Sequence, residues 1–200
     1  GKDNPYDYWV TDIRRKDFSG ITFNPVESND DTVGTKYNLY KGKKYNPNNK
    51  VDISFFKEFV LTIICSKDEL IFNIVWSFFA QLMQDPTNKM GTALVLLSIQ
   101  GTGKSIFVDT MGELWADYYM KTSKDSDITG KFNKALHTTL LLYANEQKFV
   151  SERKVDRLRS LVTEDTQRYE AKFMDSFPEN NFTRVIIDSN HHHVVHQSLY

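Results

Sequence analysis

Leu94-Val95-Leu96-Leu97-Ser98-Ile99-Gln100-Gly101-Thr102-Gly103-Lys104-Ser105 is an apolar run of strand length that breaks into a glycine-rich turn. A helical pattern follows, marked by Ile106, Phe107, Met111, Leu114 and Trp115. From Ala93 to Leu97 every position is apolar, as in a strand buried on both faces. Between a strand and a helix, the pattern glycine, any four residues, glycine, lysine, serine or threonine forms a phosphate-binding loop. Its main-chain N–H groups and the helix N-terminus point donors at an anion. The segment therefore predicts a nucleoside triphosphate site, with Gln100, Gly101, Thr102, Gly103, Lys104, Ser105 and Ile106 around ATP. Lys104 is expected to reach the β- and γ-phosphates, and the Ser105 hydroxyl to ligate Mg2+. In the empty loop the Lys104 ammonium is expected to stand exposed. Ser98 takes the place of the first glycine, where glycine eases an unusual turn, so serine is expected to shift the loop or weaken binding.

Two further apolar runs lie downstream. Leu140-Leu141-Leu142-Tyr143-Ala144 ends in Asn145-Glu146, and Val185-Ile186-Ile187 ends in Asp188-Ser189-Asn190. Buried strands alternating with helices predict an α/β fold with a mostly parallel sheet. A strand of this kind about forty residues after a phosphate loop reads as a Walker B strand, which usually ends in an acidic residue holding Mg2+ through water. Asn145 stands there instead, and its amide oxygen can orient a Mg2+-bound water without adding charge. Glu146 is the candidate general base for an attacking water. Asn190, on the third strand, is placed to touch the γ-phosphate or that water. The predicted catalytic set is Lys104, Glu146 and Asn190; the predicted Mg2+ set is Ser105, Asn145 (through water) and Glu146.

Upstream, residues 1–50 are polar and aromatic, and read as a small strand and loop module with Lys36-Tyr37-Asn38-Leu39-Tyr40 as a short strand. Asn46-Pro47-Asn48-Asn49 reads as a linker. Asp52 or Ser54 is expected to cap a helix whose apolar face is Phe55, Phe56, Phe59, Val60 and Ile63. A second helix is expected from Lys67 to Met83, ended by Asp85-Pro86. These two form a helical unit over residues 51–86, leaving 87–200 as the nucleotide-binding core, C-terminally incomplete. The chain starts with Gly1 rather than Met and is read as a fragment of a longer protein. The net charge of −1 gives no whole-molecule signature of a nucleic-acid partner, although a ring can confine positive charge to its pore. The single cysteine, Cys65, excludes an intrachain disulfide and reads as a buried structural thiol. No apolar run is long enough to span a bilayer.

With these motifs in order, the chain resembles the superfamily 3 helicases within the AAA+ ATPases. Within them it is most similar to the C-terminal helicase-like domain of phage and plasmid primase–helicase proteins. The resemblance covers most of the chain, and the Gly101–Ser105 loop and the terminal Ser189-Asn190 are its most specific parts. It implies a P-loop AAA+-type core behind a helical collar, ATP and Mg2+ as cofactors, and a ring, a hexamer by analogy, around single-stranded DNA. It also implies an upstream primase or polymerase module in the full-length chain, and work in the host cytoplasm during phage replication. Ser98 and Asn145 depart from the family pattern, which bears on hydrolytic rate more than on nucleotide binding. In the family, a hairpin between the Walker B strand and the final strand projects a basic residue into the pore. The matching stretch is Arg168-Tyr169-Glu170-Ala171-Lys172-Phe173, which makes Lys172 the expected tip and Arg168 and Lys172 the expected DNA contacts.

Other charge clusters read as ordinary surface. Arg153, Lys154, Arg157 and Arg159 sit on one predicted helix with Glu152 and Asp156 between them, although one arginine facing a neighbouring subunit's nucleotide is a second reading. His191-His192-His193 and His196 are too closely spaced to converge on one ion, so no metal beyond Mg2+ is assigned. The leading expectation is an ATP-driven helicase or translocase. Its rivals are a nucleotide-binding ring scaffold that tethers a primase, and a P-loop ATPase acting on protein.

Overall fold

The computed structural model describes residues 4–26, 31–45, 48, 50–147 and 151–190. Most of the expected linker at residues 46–49, and the histidines at 191–193 and 196, lie outside the described residues. The chain opens with a helix, α1 (Pro5–Thr11), that the sequence reading did not anticipate. Its signal is local: the Asn4 side chain accepts the Tyr6 N–H at 3.1 Å and Pro5 holds the first helical position. Three short strands follow, β1 (Gly20–Thr22), β2 (Thr32–Val33) and β3 (Lys36–Asn38). They form a small sheet of order β1-β3-β2, with the expected strand at its centre.

The first predicted helix forms as α2 (Ser54–Phe59), but Ile53 holds its N-cap position with no side-chain cap, and Asp52, one residue earlier, accepts the Ser54 N–H at 2.8 Å. The helix then widens into a π-helical turn, Val60–Ile64. That turn shifts the phase of the apolar face, so that Val60 is buried and Ile64 packs against the core with Phe56 and Phe59 while Ile63 faces outward; Phe55, before the turn, is also exposed. Cys65 is buried just beyond, as expected, and burial pushes its thiol pKa up. Helix α3 (Glu69–Gln84) is capped by Asp68, which accepts the Ile71 N–H at 3.0 Å, and it stops at Asp85-Pro86. Val75, Phe78, Phe79 and Leu82 are its buried stripe, whereas Leu70, Ile71 and Ile74, expected on the same packed face, are exposed.

The core follows as β4 (Ala93–Leu97), α4 (Lys104–Gly112), β5 (Tyr119–Thr122), α5 (Asp125–Thr129), β6 (Leu141–Ala144) and α6 (Glu152–Thr163). A hairpin of β7 (Thr166–Tyr169) and β8 (Phe177–Asn180) precedes β9 (Arg184–Ser189). Strands β4, β9, β6 and β5 form a four-stranded sheet in that order, with every neighbouring pair parallel, so the parallel α/β expectation holds. One cluster of α2, α3 and α4 residues packs on one face; α5, α6 and the hairpin supply a second cluster on the other.

Strand β4 corrects the sequence reading. β6 and β9 are buried along their whole length, but among the described residues β4 is an edge strand, and Val95 and Leu97 are 45% and 50% exposed. Leu94 and Leu96 pack into the α2–α4 cluster, whereas no described helix covers Val95 and Leu97 on the other face. A continuous apolar run encodes burial but not position in a sheet. Helix α4 is also shorter than expected: Leu114 and Trp115 fall beyond its end, and Ile106 is exposed.

The N-terminal sheet is joined to the core. Phe23 and Tyr40 are buried against Tyr118, and Phe23 also packs on His137 and Phe182. Glu179 of β8 accepts from Thr22 Oγ1 at 3.0 Å and from Lys36 Nζ at 2.8 Å. At the opposite end of the large sheet from the glycine loop, buried Arg184 donates to the carbonyls of Pro86 and Asn88 and to Gln81 Oε1. Those bonds fix the α3–β4 connection. Among the described residues no helix is long and apolar enough to cross a membrane.

Candidate nucleotide site

The loop after β4 turns on its glycines. Gly101 and Gly103 have φ of +84° and +87°, a region that a side chain disfavours by about 1–2 kcal/mol. Ser98 is not among the residues with positive φ, so it fits without the strain that the missing glycine suggested. Its hydroxyl has a use: it lies 2.5 Å from Thr102 Oγ1 and accepts from Lys104 Nζ at 2.8 Å. Gly103 caps α4 and lies against the helical unit, because a Cβ there would stand 3.0 Å from Phe59 Cζ.

Lys104 is the main correction at the site. Its side chain is buried, only 8% exposed, rather than standing free in the loop. The ammonium donates to Ser98 O at 2.9 Å, to Ile99 O at 3.2 Å and to Asn190 Oδ1 at 3.2 Å, as well as to the Ser98 hydroxyl. A buried cation needs acceptors, and the glycine turn aims two carbonyls at it. The contact with Asn190 bridges 86 positions of sequence and exists because β9 lies directly beside β4. Gln100 and Gly101 are exposed at the loop's crest, Thr102 is anchored to Ile99 O at 3.1 Å, and exposed Ile106 begins the outer face of α4.

The predicted Mg2+ residues also meet. Ser105 Oγ lies 3.4 Å from Asn145 Oδ1 and 3.1 Å from the Tyr143 hydroxyl. Tyr143 is fully buried, and desolvation pushes its phenol well above the usual range. Glu146 is exposed and has φ of +53°, a strained conformation for a residue with a side chain. A bond of 2.6 Å from its N–H to Asp188 Oδ1 holds it there. The donors here are hydroxyl, amide and carboxylate oxygens, the hard set that suits Mg2+. Asp188 and Tyr143 were not assigned roles from sequence. Their pattern signal, a polar residue at a strand end and a tyrosine inside an apolar run, is too common to single them out.

The expected hairpin forms, with its tip displaced. Phe173, at φ of +62° and fully exposed, sits midway along the 170–176 connection, and Lys172 precedes it. Lys172 Nζ lies 5.9 Å from the centroid of Phe132, which is itself half exposed. A cleft of about 650 Å³ runs between Lys131-Phe132 and the hairpin tip. Arg168 is exposed on β7, and its guanidinium braces the hairpin by donating to Ser176 O at 3.2 Å and Ser176 Oγ at 2.9 Å. On α6, Lys154 pairs with Asp125 and Arg157 donates to Thr129 O, so two of the four clustered cations dock α5. Arg159 pairs with Asp156 at 2.8 Å on the helix surface.

Over 121 residues the chain is 26% identical to a DNA primase-polymerase of Nitratiruptor phage NrS-1. That overlap is 58% of this chain but 16% of the phage protein, so the chain spans a small part of that relative's length. An apo structure of the NrS-1 C-terminal region superposes with a TM-score of 0.71 at 22% identity, covering 86% of this chain and 43% of that one. A second apo form gives a TM-score of 0.69 at 22% identity, covering 86% and 42%. At that identity the likeness establishes a shared fold. Residues 96–198, from the end of β4 past β9, match a family of unknown function (DUF5906), and the chain belongs to that family.

Proposed function

We propose that this chain is the ATP-binding motor domain of a phage replication protein, with an AAA+-type P-loop core of the superfamily 3 kind. The observation that carries the reading is the convergence at one end of the parallel sheet. Lys104 from the loop after β4 touches Asn190 from the end of β9, and Ser105 of α4 touches Asn145 from the end of β6. Ligands in parallel α/β sheets bind at the C-terminal ends of the strands. ATP phosphates would lie across the loop N–H groups at the start of α4, and Lys104 would exchange its loop carbonyls for phosphate oxygens. Mg2+, held by Ser105 and by Asn145 through water, would neutralise phosphate charge. Glu146 would accept the proton of the attacking water, and Asn190 would orient that water.

Similarity to a phage DNA primase-polymerase supports a place in DNA replication, beside a primase-polymerase module. Single-stranded DNA would run past Lys172 and Arg168 in a ring, proposed as a hexamer, where lysine meets phosphate and Phe132 and Phe173 stack on bases. One observation favours a second reading, a nucleotide-binding scaffold that tethers a primase with little hydrolysis: Asn145 gives the Walker B strand end no charge. Nucleotide affinity of the wild type and of Lys104→Ala, followed by steady-state ATPase rates with and without single-stranded DNA, separates them. The motor reading expects binding lost in Lys104→Ala and a DNA-stimulated rate in the wild type. Binding without turnover selects the scaffold, and wild-type affinity in a folded Lys104→Ala protein refutes both.

A further inference from the structure

Asp188 is a carboxylate that the nucleotide-site reading leaves unused. It is 3% exposed, one residue past the last β6–β9 pair, Ala144↔Ile187, and so beside Asn145 at the strand ends. Its partners among the described residues are neutral. Oδ1 accepts the Glu146 N–H at 2.6 Å, and the carboxylate lies near enough to the Tyr143 phenol to help raise its pKa. The same phenol lies 3.1 Å from Ser105 Oγ, and Ser105 Oγ lies 3.4 Å from Asn145 Oδ1. Ser105, Tyr143, Asp188 and Asn145 are thus one connected polar cluster. A buried carboxylate without a cation is costly to keep and attracts one strongly through a low-dielectric surround.

We infer that Asp188, on the neighbouring strand, supplies the anionic charge for the divalent cation that the Walker B position lacks because it holds Asn145. The inference rests on the nucleotide-site reading and deepens it. Asp188 acts as a positioning residue: its bond to the Glu146 N–H sets the main chain after Asn145, while its charge, beside the Tyr143 phenol, favours a cation at Ser105. Asn145 can then serve with its amide oxygen alone. A β9 carboxylate can take over a role of the β6 end only because these strands are adjacent and parallel.

The test measures binding of Mn2+, with a non-hydrolysable ATP analogue present, by electron paramagnetic resonance. Wild type is compared with Asp188→Asn, Asn145→Asp and the double variant that exchanges the two. Asparagine at 188 keeps an acceptor for the Glu146 N–H, so a merely structural role survives the change. Asp188→Asn is expected to weaken Mn2+ on the order of 10–100-fold, the range for residues that support a metal's ligands. Its thermal midpoint is expected to stay near wild type, and the double variant to recover most of the affinity. Wild-type Mn2+ affinity in Asp188→Asn, or no recovery in the double variant, overturns the assignment of Asp188 and leaves the nucleotide site standing. If wild type binds no nucleotide with or without Mn2+, the nucleotide-site reading itself falls, and the role of Asp188 with it.

Discussion

Gly103→Ala probes the contact between the helical unit and the phosphate loop, and its cost can be worked from the structure. Gly103 has φ of +87° and ψ of 6°, where an L side chain costs about 1–2 kcal/mol. The new methyl would also stand 3.0 Å from Phe59 Cζ and 3.2 Å from Cε2, closer than carbon atoms rest. Phe59 packs against the core beside Phe56, with ring centroids 6.2 Å apart, so its ring must tilt into a neighbour to give way. Overpacking of this kind adds about 1 kcal/mol. The total is about 2–3 kcal/mol, enough to change the folded-to-unfolded ratio on the order of 30–150-fold. Urea denaturation of wild type, Gly103→Ala, Phe59→Ala and the double variant completes a thermodynamic cycle. In the Phe59→Ala background the steric part should vanish, leaving the backbone part of about 1–2 kcal/mol. A Gly103→Ala cost below about 0.5 kcal/mol would refute the left-handed loop, the threshold being the usual surface-substitution scatter. Equal costs in both backgrounds would refute the contact with Phe59.

Three other outcomes are expected. Glu146→Gln should retain nucleotide binding and stop turnover, measured by isothermal titration and phosphate release; undiminished turnover would remove Glu146 as the base. Lys172→Ala, in a form that assembles as a ring, should weaken single-stranded DNA binding and flatten its salt dependence, because fewer counterions are released; an unchanged slope would leave the hairpin without a phosphate contact. His137 is buried among Phe23, Tyr169 and Phe177, and desolvation lowers its pKa below 6.5. The unfolded chain therefore binds this proton first, so the His137 contribution is full above pH 6.5 and is lost as pH falls through that value. Urea midpoints at pH 7.5 and 5.5 should differ less in His137→Phe than in wild type.

The sequence by itself determined the local parts. Asp68 and Pro86 bracket α3, and the apolar runs at 93–97, 141–144 and 185–187 all fall in strands of the parallel sheet. The glycines at 101 and 103 mark the turn between β4 and α4 because few other residues tolerate their backbone angles. Motif spacing singled out Lys104, Ser105, Asn145 and Asn190 as candidates, and the structure brings Lys104 to Asn190 and Ser105 to Asn145. Strand order was not legible, since period and composition say nothing about which strand neighbours which. Only the tertiary structure put β9 between β4 and β6 and left β4 at an edge among the described residues. That order folds Lys104 back onto Asn190 and brings the Asp188 carboxylate to the end of β6, where the local sequence offers only an amide. The π-helical turn after α2, in which Ile63 faces outward, likewise follows from packing, because hydrophobic spacing fixes a face only while the helical period stays constant.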